Sequence, residues 1–182
     1  LNHTSDPENV LDEIKYNPDI SLNSLYLPAM RDAIGHFLQH AVESIFKIYL
    51  NTEVSIVAEK ELPPLTDIVV SGVSSFNGAI YGSTVLVTDL SFAQKLVAEL
   101  LEQDHEDIDK ELIVDGFGEM ANMISGGIQT DLSEEYENIS LIPPMVFIGA
   151  QCMYGSDQLF SVRKNFHCHI GYFSVDCLFS IV

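Results

Sequence analysis

Basic side chains are scarce in this sequence of 182 residues, which has 8 Lys and Arg against 27 Asp and Glu and a net charge of −19. Nucleic acids and anionic membrane surfaces bind basic patches, so both are excluded as partners. No stretch approaches the roughly 18 apolar residues of a transmembrane helix. Residues 1–17 are polar and acidic and lack the basic and apolar segments of a signal peptide. The chain is therefore expected in the cytoplasm.

Cysteine is also scarce, and the spacing of Cys152, Cys168 and Cys177 suits reduced thiols better than a disulfide framework. His167 and His169 would fit a metal pair on one strand face, but no further ligand stands at a recognisable spacing. No metal site is therefore predicted. Hydrophobic residues make up 47% of the sequence, which is enough for a single core.

A polar stripe runs along an otherwise apolar helix that is predicted over about residues 108–131. Asp115, Glu119, Asn122 and Gly126 follow one another at steps of 4, 3 and 4 residues, so they lie on one helix face. The opposite face is apolar and is expected to be buried; it consists of Phe117, Met120, Ala121 and Ile124. A carboxylate and a carboxamide one turn apart, followed by bare backbone, indicate a functional site.

Four glycines lie in the same helix, at positions 116, 118, 126 and 127. Each costs about 1 kcal/mol relative to alanine in a helix interior. Such residues are kept where neighbouring elements pack closely or where a partner approaches the backbone. Gly126 belongs to the polar stripe, which favours approach by a partner at that position.

The stripe occurs a second time, 83 residues earlier, in a helix predicted over about residues 28–50. The earlier copy consists of Asp32, Gly35, His36, Gln39 and Glu43, at the positions of Asp115, Gly118, Glu119, Asn122 and Gly126. This pattern indicates an internal duplication in which only the second copy has the Glu–Asn pair. His36 and Gln39 are interpreted as a vestige rather than a second site.

The remaining elements are mostly strands, with one further helix that begins at Asp89 or Ser91 and ends at Leu101. A turn is predicted at Asn77-Gly78 and a break at Pro143-Pro144. The predicted strands cover residues 53–60, 68–74, 79–88, 145–154, 158–170 and 172–182. Each half is thus a helix followed by strands, which predicts a mixed α/β (α+β) fold. Long helices are expected to pack on a largely antiparallel central sheet.

The pattern D-x-x-G-E-x-x-N-x-x-x-G, formed by Asp115, Gly118, Glu119, Asn122 and Gly126, resembles the signature helix of the CheC/CheX/FliY family of bacterial chemotaxis phosphatases. The order of elements is similar too. CheC-type members have the Glu–Asn pair in both halves and CheX-type members only in the second, so this chain looks CheX-like. The resemblance implies a phosphatase domain with the CheC-like fold over residues 26–182, preceded by an N-terminal extension over residues 1–25. It also implies a homodimer.

The function that the resemblance implies is hydrolysis of the aspartyl phosphate on a CheY-like receiver domain of a two-component response regulator. Asn122 would orient the attacking water and Glu119 would pair with the receiver's lysine, while Asp115 and Gly126 would bind the partner. Mg²⁺ is expected on the receiver, and no cofactor on this chain. The alternative is a non-catalytic receiver-binding or scaffold module of a two-component or flagellar-switch system. The intact Glu119–Asn122 pair favours the enzyme.

Overall fold

Three helices and six strands are found in the part of the chain that the computed structural model describes, residues 26–65, 68–134, 137–149 and 160–181. The helices are α1 (Tyr26–Leu50), α2 (Leu90–Leu101) and α3 (Lys110–Ser133). The strands are β1 (Ser55–Val57), β2 (Val69–Asn77), β3 (Ile80–Asp89), β4 (Ser140–Ile148), β5 (Phe160–Cys168) and β6 (Gly171–Ile181). The extension predicted over residues 1–25 lies outside the described residues. None of the helices within these ranges is long and apolar enough to span a membrane.

The strands form one sheet in the order β1-β5-β6-β3-β2-β4, and all five neighbouring pairs are antiparallel. Exchanging the label β1 with β4, β2 with β5 and β3 with β6 gives the same strand order, read from the opposite edge of the sheet. Each half of the chain is therefore a long helix followed by three strands, and the halves meet where β3 pairs with β6. The predicted fold of two helix-plus-strand repeats is confirmed at the level of connectivity.

Side-chain caps determine where two of the helices begin. The carboxylate of Asp89 accepts the backbone N–H of Phe92 at 2.8 Å, and that of Asp109 accepts the N–H of Leu112 at 2.9 Å. These contacts satisfy amides that have no partner within the helix. Of the two starts predicted for α2, Asp89 is the cap, and its predicted end at Leu101 is confirmed. The predicted bounds of the long helices differ from the observed ones by at most about two residues.

The core lies between the sheet and the two long helices, which also pack against each other. The apolar face predicted for α3 is fully buried, with 0% exposure at Phe117, Met120, Ala121 and Ile124. Gly72 on β2 lies directly beneath this face, where an added Cβ would come within 3.0 Å of the Cβ of Ala121. The missing side chain therefore lets α3 pack closely on β2.

Two strand predictions were wrong in extent. The strand predicted from residue 145 begins at Ser140 and runs through Pro143 and Pro144. It is an edge strand with a bulge opposite Ser74 of β2, a position at which the missing N–H groups of proline are tolerated. The strand predicted over residues 53–60 is limited to β1, because the next residues form a 3₁₀ turn at Glu59–Glu61.

Candidate functional site

The polar stripe of α3 lies on the surface of the molecule, as the sequence predicted. Asp115 and Glu119 are exposed, and Asn122 and Gly126 are partly buried. The three ion pairs found among the described residues use other carboxylates, so those of Asp115 and Glu119 are available to a partner. The stripe thus presents two negative charges and one carboxamide but no cation. A partner that docks here has to bring the positive charge.

Asn122 is anchored from below by a strand residue. The hydroxyl of Ser74, on β2, donates to Oδ1 of Asn122 over 3.3 Å, and Ser74 is itself fully buried. Ser74 and Gly72 lie on the same face of β2, because side chains two residues apart point the same way. The close approach of α3 at Gly72 therefore brings Asn122 within reach of Ser74.

The four glycines of α3 have different surroundings. A Cβ at Gly116 would lie 2.8 Å from Val97 of α2, and one at Gly127 would lie 2.7 Å from the Cβ of Ala41 on α1. At Gly118 it would lie 3.2 Å from Val146 of β4. Packing against neighbouring elements accounts for these three glycines. At Gly126 an added Cβ would meet only the Cδ1 of Leu141, at an ordinary 3.6 Å, so the fold itself leaves room for a side chain there.

The earlier copy of the stripe, on α1, is occupied by side chains of the molecule itself. Lys164 of β5 donates to Oε1 of Gln39 over 3.3 Å, and Nε2 of Gln39 donates to Glu43 over 2.8 Å. Both ends of this carboxamide are therefore engaged, and a lysine lies where Ser74 lies beneath Asn122. These contacts agree with the interpretation of His36 and Gln39 as a vestige.

Other candidate groups of the described chain are engaged or buried. Burial raises the pKa of the Cys177 thiol to about 12 and also raises that of Cys168, so neither is a thiolate at neutral pH. His167 and His169 do not form the metal pair considered above, since β5 ends at Cys168. The ring of His167 lies against that of Tyr172, and Nε2 of His169 lies 2.6 Å from Oε1 of Glu99.

A cavity of about 240 Å³ opens elsewhere, between residues 62–65 and the ends of β3 and β6. Pro63, Pro64 and Tyr172 are among its lining residues, and no member of the stripe is. The stripe is instead a helix face, which suits contact with a macromolecular surface.

Sequence reasoning missed Ser74 and Lys164, the two residues that distinguish the copies. Ser74 is one of three serines that stand with one glycine and three valines along β2, and that mixed composition does not mark it as inward-facing. Alternation places Ser74 on one face with Gly72 and Phe76, but only the packing of α3 on Gly72 reveals that this face is the buried one. An inward serine in an otherwise apolar register would be the signal to look for.

Comparison with known protein families assigns the chain to one of them. The sequence profile described as "Chemotaxis phosphatase CheX" matches residues 70–165, which is more than half of the chain and includes the whole stripe. The chain belongs to the CheX family. A comparison with proteins of curated function gives no significant match.

Solved structures of similar fold include proteins with the names CheX and FliY. The chemotaxis protein CheX from Vibrio vulnificus is 20% identical, with a TM-score of 0.66 over 82% of this chain and 98% of that one. A CheX-CheY-BeF3-Mg²⁺ complex from Borrelia burgdorferi contains a chain that is 18% identical, with a TM-score of 0.64 over 80% and 96%. FliY from Thermotoga maritima is 17% identical, with a TM-score of 0.58 over 85% and 91%. At these identities the likeness concerns the fold, and it supports the mixed α+β architecture.

Proposed function

We propose that this CheX-family chain is a phosphatase that hydrolyses the aspartyl phosphate of a CheY-like receiver domain. The observation that carries the proposal is the arrangement of Glu119 and Asn122, one helical turn apart on an exposed face. The carboxamide is anchored, and no ion pair of the described residues engages Glu119. The copy on α1 has the same position in its repeat, but His36 replaces the carboxylate and both ends of the Gln39 carboxamide are engaged.

In the proposed reaction, the oxygen of a water molecule attacks phosphorus in line with the bond from phosphorus to the receiver's aspartate oxygen. That bond breaks, and the products are a free carboxylate and inorganic phosphate. Such a reaction needs a correctly placed water more than it needs a protein nucleophile. The carboxamide of Asn122 is suited to orienting the water because it forms hydrogen bonds without taking the proton. No Cys nucleophile is required.

Glu119 has the role of anchoring the receiver. Its exposed carboxylate would pair with a lysine of the receiver's active site, and this charge-assisted contact would place α3 over the phosphoryl group. Asp115 would extend the contact by one turn, and Gly126 would let the receiver's backbone approach. We assign the Mg²⁺ ion of the reaction to the receiver, as part of the substrate. The Borrelia complex, in which a chain of the same fold is found with CheY, BeF3 and Mg²⁺, supports this choice of partner.

The second candidate is a receiver-binding module without turnover, in a two-component or flagellar-switch system. The similarity in fold to FliY is the observation that favours it. The two candidates differ at Asn122, because a pure binder has no need of an anchored carboxamide beside its docking carboxylate.

Phosphate release distinguishes the two functions. Each CheY-like receiver encoded in the same genome is phosphorylated with acetyl phosphate, the donor is removed, and release of inorganic phosphate is followed with and without the chain. We expect at least one receiver to lose its phosphoryl group about tenfold faster or more when the chain is present. Binding of a phosphorylated receiver without faster release would favour the binding module.

We also propose that the chain forms a homodimer. Within the described residues β4 has a strand neighbour only on its β2 side, and its exposed side chains include Met145 and Phe147. An unpaired edge with apolar side chains favours pairing with a second chain. Light scattering at micromolar concentration is expected to give twice the mass of one chain, and the mass of a monomer would contradict the proposal.

A further inference from the structure

Three hydroxyl groups lie buried beneath the stripe, in an interface that is otherwise apolar. Ser74 on β2, Thr84 on β3 and Ser125 on α3 are each 0% exposed. The side chains around them belong to the hydrophobic core, for example Phe117 and Ala121. A hydroxyl group loses its hydration on burial and is costly to keep in a core unless a hydrogen bond replaces the lost water. These three hydroxyl groups therefore need hydrogen-bond partners within the interface.

The hydroxyls form two parallel contacts between the sheet and α3. Ser74 donates to Oδ1 of Asn122 over 3.3 Å, and Thr84 donates to the hydroxyl of Ser125 over 3.4 Å. Ser74 and Thr84 face each other across the β2–β3 pair, and Asn122 and Ser125 lie one turn apart on α3. Of these contacts, only the one made by Ser74 reaches the stripe.

We propose that Ser74 is a positioning residue that holds the carboxamide of Asn122 in the orientation needed to place the attacking water. This inference rests on the function proposed above. By occupying Oδ1 from below, the hydroxyl fixes the amide plane and leaves the N–H of Nδ2 that lies anti to Oδ1 directed away from the sheet. That N–H group then holds the oxygen atom of the water or of the phosphoryl group.

Physical reasons favour this role for Ser74. The amide of asparagine rotates broadly about its last side-chain torsion, so an unsupported amide samples many orientations. Positioning catalysis requires a geometry held within a fraction of an ångström. Ser74 can supply such support because it pairs with Thr84 of β3, and the residues on either side of it, Val73 and Ser75, pair with β4. Apo hydrogen bonds of catalytic groups are often long, and the 3.3 Å contact is of that kind.

The vestigial copy provides the contrast. There Lys164 holds one end of the Gln39 carboxamide and Glu43 accepts from the other, so neither end is left for a water molecule. At Asn122 one end is held and, among the described residues, the other makes no hydrogen bond. The proposed working copy thus has a carboxamide with one engaged end, whereas the vestige has a carboxamide with both ends engaged.

Ser74→Ala tests the proposal, with Ser75→Ala as its matched control. Ser75 is the next residue of β2, faces the opposite side of the sheet and shares a hydrogen bond with Ser83 at 2.8 Å. For a receiver phosphorylated with acetyl phosphate, Ser74→Ala should lower kcat by about 3- to 10-fold, the effect of one ordinary hydrogen bond, with KM changed less than about twofold. Ser75→Ala should leave both constants unchanged. Unchanged kcat in Ser74→Ala, while Asn122→Ala loses activity, would overturn the role of Ser74 and leave the phosphatase proposal intact.

A second measurement does not depend on phosphatase activity. In ¹⁵N relaxation of the wild-type chain, the side-chain NH₂ of Asn122 should be more ordered than that of Asn77, which is exposed at the end of β2. In Ser74→Ala the Asn122 signal should become as mobile as that of Asn77. A mobile Asn122 NH₂ in the wild type would overturn the proposal even if Ser74→Ala did not fold. If no receiver is dephosphorylated, the proposed function fails, and the relaxation result still decides whether Ser74 holds Asn122.

Discussion

Asn122→Ala should lower the rate constant of phosphate release from a phosphorylated receiver by about 100-fold or more, with little change in affinity for the receiver. In the proposed reaction the carboxamide acts on the water, whose orientation matters in the transition state, whereas docking depends on the charge of Glu119. Its removal leaves the Ser74 hydroxyl without its partner, at a cost of about 1 kcal/mol in the free energy of unfolding. The thermal stability of the variant is therefore measured alongside its rate of single-turnover phosphate release. Affinity is measured with a CheY-like receiver treated with beryllium fluoride and Mg²⁺.

Gln39→Ala is the matched control for Asn122→Ala, since Gln39 is the carboxamide at the same position of the first repeat. We expect it to leave the release rate within about twofold of the wild type, because Lys164 and Glu43 already saturate that carboxamide. Glu119→Ala should lower both affinity and rate, since it removes the docking charge. Equal losses in Asn122→Ala and Gln39→Ala would indicate two working sites. No loss in Asn122→Ala would mean that α3 is not a phosphatase site.

Most of the fold could be predicted from local patterns in the sequence. The bounds of the two long helices follow from apolar periodicity and the start of α2 from the cap at Asp89, both of which involve residues close in sequence. The extent of β4 could not be predicted in this way. Prolines 143 and 144 indicate a break in most strands, and they are tolerated here because β4 lies at the edge of the sheet and bulges opposite Ser74. Edge positions are a property of the assembled sheet.

The geometry of the candidate site could be predicted to the extent that it lies on one helix. Steps of 4 and 3 residues place Asp115, Glu119 and Asn122 on one face of any regular helix, independently of the tertiary structure. The supports of that face come from strands distant in sequence. Ser74 precedes Asn122 by 48 residues, and Lys164 follows Gln39 by 125. The register that brings each pair together depends on how β2 and β5 pair with their neighbours, which no local pattern encodes.

Gly126→Val should lower the affinity for the beryllium fluoride-treated receiver by about 100-fold while the free energy of unfolding stays the same or increases. An added Cβ at this position meets only Leu141, at 3.6 Å, so the fold has room for a β-carbon there and we expect it to accept valine. Valine also has a higher helix propensity than glycine, by several tenths of a kcal/mol. The branched side chain would nevertheless stand one turn from Asn122, where the receiver's backbone has to approach. Fluorescence titration of the receiver gives the affinity, and thermal unfolding gives the stability.

A substitution at the neighbouring Gly127 is the control that distinguishes a loss of binding from a loss of stability. Gly127→Val places its Cβ 2.7 Å from that of Ala41, between α3 and α1, so it should destabilise the fold by about 1–3 kcal/mol through overpacking. The two adjacent substitutions, identical in chemistry, should therefore have opposite signatures: Gly126→Val should lose binding and keep stability, and Gly127→Val should lose stability first. Wild-type affinity in a folded Gly126→Val protein would contradict close approach of the partner to this turn of α3. Docking would then have to rest on Glu119 and Asp115 alone.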